Sequence, residues 1–202
     1  MISGFRPNSL TKFLRFVALV SLSPSQSHVN PILRPGLGGW FWGGAVFHST
    51  YEKQLDAKRR ILVPQEFRAA AAGPFDGVFC FPSIEYDCIE GGGQALFDTY
   101  LGVIEELAFG DPLRSALETS VLGGMTRLAY DTAGRITLPE SLCQAYGLTD
   151  WVALVGMGER FQIWPRQAWV AHRAAQLELA RAGLPALRAQ QRAQKHAMAG
   201  GA

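Results

Sequence analysis

One phrase occurs twice in this chain. Leu55-Asp56-Ala57-Lys58-Arg59-Arg60-Ile61-Leu62-Val63-Pro64 returns, altered, as Tyr130-Asp131-Thr132-Ala133-Gly134-Arg135-Ile136-Thr137-Leu138-Pro139. Asp56 and Asp131, Arg60 and Arg135, Ile61 and Ile136, and Pro64 and Pro139 all lie 75 positions apart. An internal repeat constrains a fold more than any local signal, because it means that one structural unit was used twice. What the copies share is a charged turn leading into a short apolar strand, so the turns are the first place to look for function.

Each copy reads as strand, turn, strand, helix, strand, strand. In the first, residues 47–55 alternate polar and apolar, residues 56–60 are a turn, and Ile61-Leu62-Val63 is a β-rich run stopped by Pro64. A proline at that point opens a helix, since its missing N–H has no partner there anyway. The helix over 65–72 ends at Gly73-Pro74, residues 77–81 form a buried strand, and residues 84–89 suggest another. The second copy repeats the order with strands over 126–130, 136–138, 151–155 and 160–164. A helix opened by Pro139 is stopped by Gly147, as a C-cap would stop it. A single such unit is too small to bury a good core alone, whereas two packed together share one.

Between the copies, Leu96, Tyr100, Val103 and Leu107 recur at helical spacing over 95–109, and Asp111-Pro112 restarts a helix with Leu113, Leu117 and Val121 on one face. Gly91-Gly92-Gly93 reads as a flexible turn and not a phosphate loop, because no Gly-Lys-Ser/Thr follows it. After Pro165 a last helix is expected to about residue 182, where Gly183 and Pro185 break it and leave a frayed tail. Residues 166–202 carry Arg166, Arg173, Arg181, Arg188, Arg192 and Lys195 against the single acid Glu178. That is a solvated basic helix or an auxiliary phosphate-contacting arm.

Residues 1–45 differ in character: Lys12 and Arg15 flank a short apolar stretch, followed by Ser- and Pro-containing sequence and a Gly/Trp cluster. Three readings stand. One is a weak leader, against which the run is short and no clear small-x-small cleavage site follows. Another is a disordered extension. The favoured one is that translation starts at Val46 from a GUG codon and the segment is not native. The resulting organisation is an extension over 1–45, a first unit over 47–92, a helical connector over 93–122, a second unit over 123–167, and a C-terminal helix with a basic tail over 168–202.

The turns carry the chemistry. The first places Lys58, Arg59 and Arg60 in a row, and the second carries Arg135. An aspartate opening a tight turn accepts the backbone N–H two residues on, so Asp56 and Asp131 are loop-fixing residues that can also hold the arginine four positions later. Gly134 suits a positive φ. A basic loop between strands is either a solvated hairpin tip or a device for nucleic acid, in which cations neutralise phosphates and arginine reaches guanine edges. The formal net charge is only +2, so the case for nucleic acid rests on these local clusters.

Several residues stand in family order and spacing. These are Phe47-x3-Tyr51-x3-Leu55-Asp56-Ala57-Lys58-x-Arg60-x3-Pro64-x2-Phe67-Arg68, then Asp131-x2-Gly134-Arg135-x3-Pro139, Gly147-Leu148, Val155-Gly156 and Phe161-Gln162-Ile163-Trp164. Over residues 47–175 the chain resembles the MraZ family, bacterial regulators of the division and cell-wall gene cluster. The resemblance implies a mainly β, α+β fold. Two tandem AbrB-like swapped-hairpin units of the SpoVT/AbrB type would form a pseudo-dimeric small β-barrel, with connecting and C-terminal helices. It implies a cytoplasmic, nucleoid-associated repressor of its own operon that binds promoter direct repeats in double-stranded DNA as a ring homo-oligomer. The DNA-contacting side chains it implies are Lys58, Arg60 and Arg135. Arg59 stands where the family has glycine; at a positive φ that costs roughly 1–2 kcal/mol, and the arginine either reshapes the loop or adds a phosphate contact.

No metal, cofactor or enzymatic activity is expected. Cys80, Cys88 and Cys143 with four scattered histidines lack zinc spacing and read as buried, reduced thiols of a cytosolic protein. Glu140 and Ser141 suit a helix start, and no Ser-His-Asp order suggests a triad. Phe161, Trp164 and Trp169 read as core more than as a base-stacking platform. No apolar run reaches the roughly 18–20 residues of a membrane span. Two rivals remain: an antitoxin-like partner-binding protein on the same fold, and a hydrolase or transferase, for which no acid/base or nucleophile set is present.

Overall fold

The computed structural model describes residues 46–199, so the extension over 1–45 lies outside the described residues. Eight strands and five helices follow one another. The first copy gives β1 (Thr50–Gln54), β2 (Arg60–Leu62), α1 (Gln65–Ala70), β3 (Gly77–Pro82) and β4 (Ile89–Gly92). The connector gives α2 (Gln94–Glu105) and α3 (Pro112–Leu117), the latter running into a π-helical turn, Glu118–Leu122. The second copy gives β5 (Thr126–Ala129), β6 (Arg135–Thr137), α4 (Glu140–Tyr146), β7 (Trp151–Gly156) and β8 (Phe161–Pro165), and α5 (Arg166–Ala199) closes the chain.

Six strands form one antiparallel sheet in the order β1-β7-β8-β4-β3-β5, and β2 pairs with β6 in a separate ribbon. Exchanging each strand for its counterpart in the other copy reverses this order onto itself. The first strand of each copy pairs with the third strand of the other, β1 with β7 and β5 with β3. The two fourth strands meet at the centre, where Glu90 faces Gln162. In the ribbon Ile61 faces Ile136. Neither copy owns a complete sheet, which is the structural content of the sequence repeat.

The fold is mixed α+β, and the expected closed barrel is not seen among the described residues. The sheet is open, with β1 and β5 as its edges. The ribbon does not bridge those edges, because its three-residue strands pair only with each other. It lies over one face of the sheet instead. Ile61, Ile136, Val63 and Leu138 point inward and share a core with Val78, Cys80, Ile89, Leu154 and Ile163 of the sheet. Phe67 of α1 sits at the centre of this core, 5.4 Å from Phe47, 5.5 Å from Tyr51 and 5.5 Å from Phe161 between ring centroids. The opposite face is covered too: Phe81 packs with Leu96 and Val121, and Ala153, Val155 and Trp164 pack with Trp169. Burial on both faces explains why Gly-Val-Phe-Cys-Phe in β3 reads as an apolar run without alternation.

Several expectations need correction. Residues 84–88 are irregular and the strand begins at Ile89. Gly91 and Gly92 are strand residues, not a flexible turn; a Cβ at Gly91 would strike the Phe161 ring, so glycine is required by close approach. The buried positions of α2 are Leu96 and Ile104, while Val103 faces outward. Gly183 and Pro185 do not end α5. Pro185 forgoes a single backbone hydrogen bond, and the Ala-, Leu-, Gln- and Arg-rich sequence beyond it favours helix strongly enough to continue. Gly147 does cap α4 in the left-handed conformation, as its position suggests.

All three cysteines are free and buried. Burial pushes the Cys80 and Cys88 thiols up to about 12, so neither is a thiolate at neutral pH. Both are therefore expected to resist alkylation by iodoacetamide in the native protein and to react once guanidinium unfolds it, with labelling read by intact mass.

Candidate nucleic-acid interface

The two charged turns have the same construction. Asp56 Oδ1 accepts the backbone N–H groups of Lys58 and Arg60, each at 2.9 Å, and Asp131 Oδ1 accepts those of Ala133 and Arg135, each at 2.9 Å. Each aspartate also reaches the arginine four residues on: Asp56 Oδ2 accepts Arg60 Nε at 2.8 Å, and Asp131 Oδ2 accepts Arg135 Nε at 2.7 Å. One carboxylate thus closes the backbone of its turn and aims a guanidinium. Arg60 holds the Asp56 carboxyl down to about 2, chiefly through its side chain, and the Arg135 backbone N–H is the first cause of a lowered value at Asp131.

The ribbon sets the turns at its two ends, because β2 and β6 run antiparallel with Arg60 opposite Thr137 and Leu62 opposite Arg135. Alternation sends Ile61 and Ile136 into the core and leaves Arg60, Leu62, Arg135 and Thr137 on the outer face. The side chains of Arg60 and Arg135 are 29% and 35% exposed, each resting on its aspartate. Lys58 is exposed and is in no ion pair among the described residues. Arg60 and Arg135 therefore share the outer face of the ribbon, and Lys58 is exposed in the turn at one of its ends.

Arg59 is the exception. It does adopt a positive φ, +58°, matching +77° at Gly134, and the turn keeps its hydrogen bonds. The loop is not reshaped. The side chain leans back toward α4, with Nη1 3.7 Å from Glu140 Oε2, and lines one cleft with Cys143. The other turn shows the converse. Gly134 lies against the guanidinium of Arg68 from α1, where an added Cβ would come within 2.7 Å of Arg68 Cζ. Arg68 and Cys143 are themselves counterparts, 75 positions apart. Each turn thus rests on one arginine, supplied by the turn itself in one copy and by the facing helix in the other. Arg68 was missed by sequence reasoning, although aligning the two copies shows arginine and a small residue exchanged between the two positions.

Among the described residues no cluster of three or more His, Cys, Asp or Glu could hold a metal ion, and no helix is long and apolar enough to cross a membrane. The geometry offers a β-ribbon with a cationic outer face.

Comparison with known proteins gives that surface a context. The family model "MraZ protein, putative antitoxin-like" matches residues 121–191. A protein of Phenylobacterium zucineum named transcriptional regulator MraZ is 78% identical over 155 residues, covering 77% of this chain and 97% of that one. One of the same name from Caulobacter vibrioides is 72% identical over 157 residues, covering 78% of this chain and 99% of that one. A third, from Parvibaculum lavamentivorans, is 38% identical over 127 residues, or 62% and 79% of the two chains.

The turn geometry sets two expectations. Gly134→Ala should destabilise the fold by roughly 1–2 kcal/mol, the cost of the left-handed φ, while the Arg68 guanidinium at the end of its flexible side chain moves aside. Arg59→Gly should change stability by under about 1 kcal/mol, since relief of the same φ strain is offset by the larger backbone entropy of glycine in the unfolded chain. Chemical denaturation of both variants checks this. Acid gives the other test. A carboxyl lowered from 3.8 to about 2 contributes stability that is present above the unfolded value and lost as pH falls through the folded one. Denaturation midpoints of Asp56→Asn should therefore converge on those of the unmodified chain between about pH 4 and 2 while staying lower at pH 7.

Proposed function

The chain belongs to the MraZ family, and from that premise we propose a transcription regulator that grips double-stranded DNA with the outer face of its β2–β6 ribbon. The observation that carries the reading is the paired Asp-Arg turn. Arg60 commits Nε and Nη2 to Asp56, the latter at 2.7 Å, which leaves its remaining N–H donors for a partner. An arginine already held in one geometry loses less side-chain entropy on binding. Its fork matches the O6 and N7 acceptors of guanine, and a two-stranded ribbon fits the major groove. Lys58, exposed and in no ion pair among the described residues, is suited to a phosphate.

The local field is weak, because each aspartate offsets its own arginine and Glu140 lies beside Arg59. One protomer therefore binds weakly. A ring homo-oligomer set on promoter direct repeats raises avidity through effective concentration without any new interaction. This reading makes the protein a cytoplasmic, nucleoid-associated repressor of its own division and cell-wall operon. The cross-pairing of the two copies supports describing each as an AbrB-like swapped hairpin. Arg59, whose side chain is 41% exposed at the rim of the turn, supplies a further phosphate contact.

Arg60→Ala should abolish the electrophoretic shift of DNA from upstream of its own gene while leaving oligomeric mass unchanged. Lys58→Ala should weaken binding to all sequences alike and lower the salt slope by roughly 0.9 for each phosphate that the lysine neutralises. Wild-type binding by Arg60→Ala would refute the assignment.

A further inference from the structure

The last helix leaves most of its length uncovered. At its start Trp169 and His172 pack on Trp164, His172 stacked at 4.4 Å. From 173 to 194 every residue is exposed, a rod of about 33 Å. Gly183 and Pro185 lie within it, and both residue types oppose a helix interior. Packing within the protomer does not offset them. Yet the rod has an apolar seam. Val170, Leu177 and Leu184 are spaced by seven, with Leu187 three residues beyond Leu184, and all four are exposed. That is the a/d pattern of a helix with a partner.

Charge selects the partner. Arg188 and Arg192 lie beside the seam and Arg173 interrupts it at the d position after Val170; none of the three forms an ion pair among the described residues. A second copy of the same helix would set these arginines against each other. The connector has the opposite character. Residues 93–122 hold five carboxylates and one arginine. Glu105 and Glu106 are exposed and form no ion pair among the described residues, and beside them in sequence Val103 and Phe109 are 52% and 96% exposed. Exposed apolar side chains with unpaired acids next to them in the connector, where Arg114 lies 5.8 Å from the Phe109 ring, are the charge complement of exposed apolar side chains with unpaired arginines on α5.

We propose that α5 of one copy docks on the α2–α3 connector of the next. The interface is heterologous, since two different surfaces meet, and such interfaces close into rings when the rotation permits. The inference rests on the oligomer invoked above and names the surfaces that build it. It also assigns the basic tail to assembly instead of to phosphate.

Charge reversal tests it on the full chain, with mass read by light scattering and binding to a single DNA repeat read by anisotropy. Arg188→Glu with Arg192→Glu should reduce the assembly to protomers, as should Glu105→Arg with Glu106→Arg. Mixing the two variants, or joining all four substitutions in one chain, should restore it. Single-repeat DNA binding should stay unchanged throughout. An unchanged mass on reversal, or loss of assembly that mixing does not rescue, overturns the inference and leaves the DNA reading standing. An unmodified chain that is monomeric at all concentrations overturns both the ring and the inference.

Discussion

The strand pairing between the two copies is the constraint on which everything else depends. In the large sheet the ladders β1·β7, β5·β3 and β4·β8 each join one copy to the other, and the ribbon β2·β6 does the same. Each copy alone would expose unpaired edges and half a core. Folding the two as one buries Ile61 against Ile136 under the ribbon, and Phe67 among rings drawn from both copies. The ribbon is consequently anchored from beneath by fully buried side chains. Its outer face is free to carry function while most of its support comes from beneath.

The aspartate of each turn then converts a hairpin into an instrument. A lone arginine on a loop loses much side-chain entropy when it binds. Here a single carboxylate accepts two backbone N–H groups and holds one guanidinium, so the loop and the arginine are ordered together. The same carboxylate cancels much of the arginine charge. Orientation is gained and field is given up, a balance that supports the proposed reading of selective recognition over strong binding by one protomer. The arginine beneath each turn shows the same economy of position: Arg59 and Arg68 fill equivalent places from opposite sides of the interface between copies.

Much of this was legible in the sequence. The repeat located the strands, both turns and the helices opened after Pro64 and Pro139, because turn chemistry and proline act locally. Asp56, Asp131 and Gly134 were readable for the same reason. Part of what failed depended on residues distant in sequence. Gly91 resembles a flexible linker until the Phe161 ring is seen over it. Val103 and Ile104 differ by one position on a helix, so spacing alone puts the buried face on the wrong residue. Gly183 and Pro185 are reliable breakers only where their neighbours are indifferent, and here the flanks favour helix. Arg68 gives no local signal, since its role is set by a turn of the other copy.

The central claim is that the ribbon's outer face is the DNA surface, and hydrogen exchange read by mass spectrometry tests it most directly. On adding DNA from upstream of the gene, peptides covering 56–62 and 131–137 should gain protection, while those of α2 and α3 stay as they were. Protection confined to the connector or to α5, with both turns exchanging as in the free protein, would contradict the account.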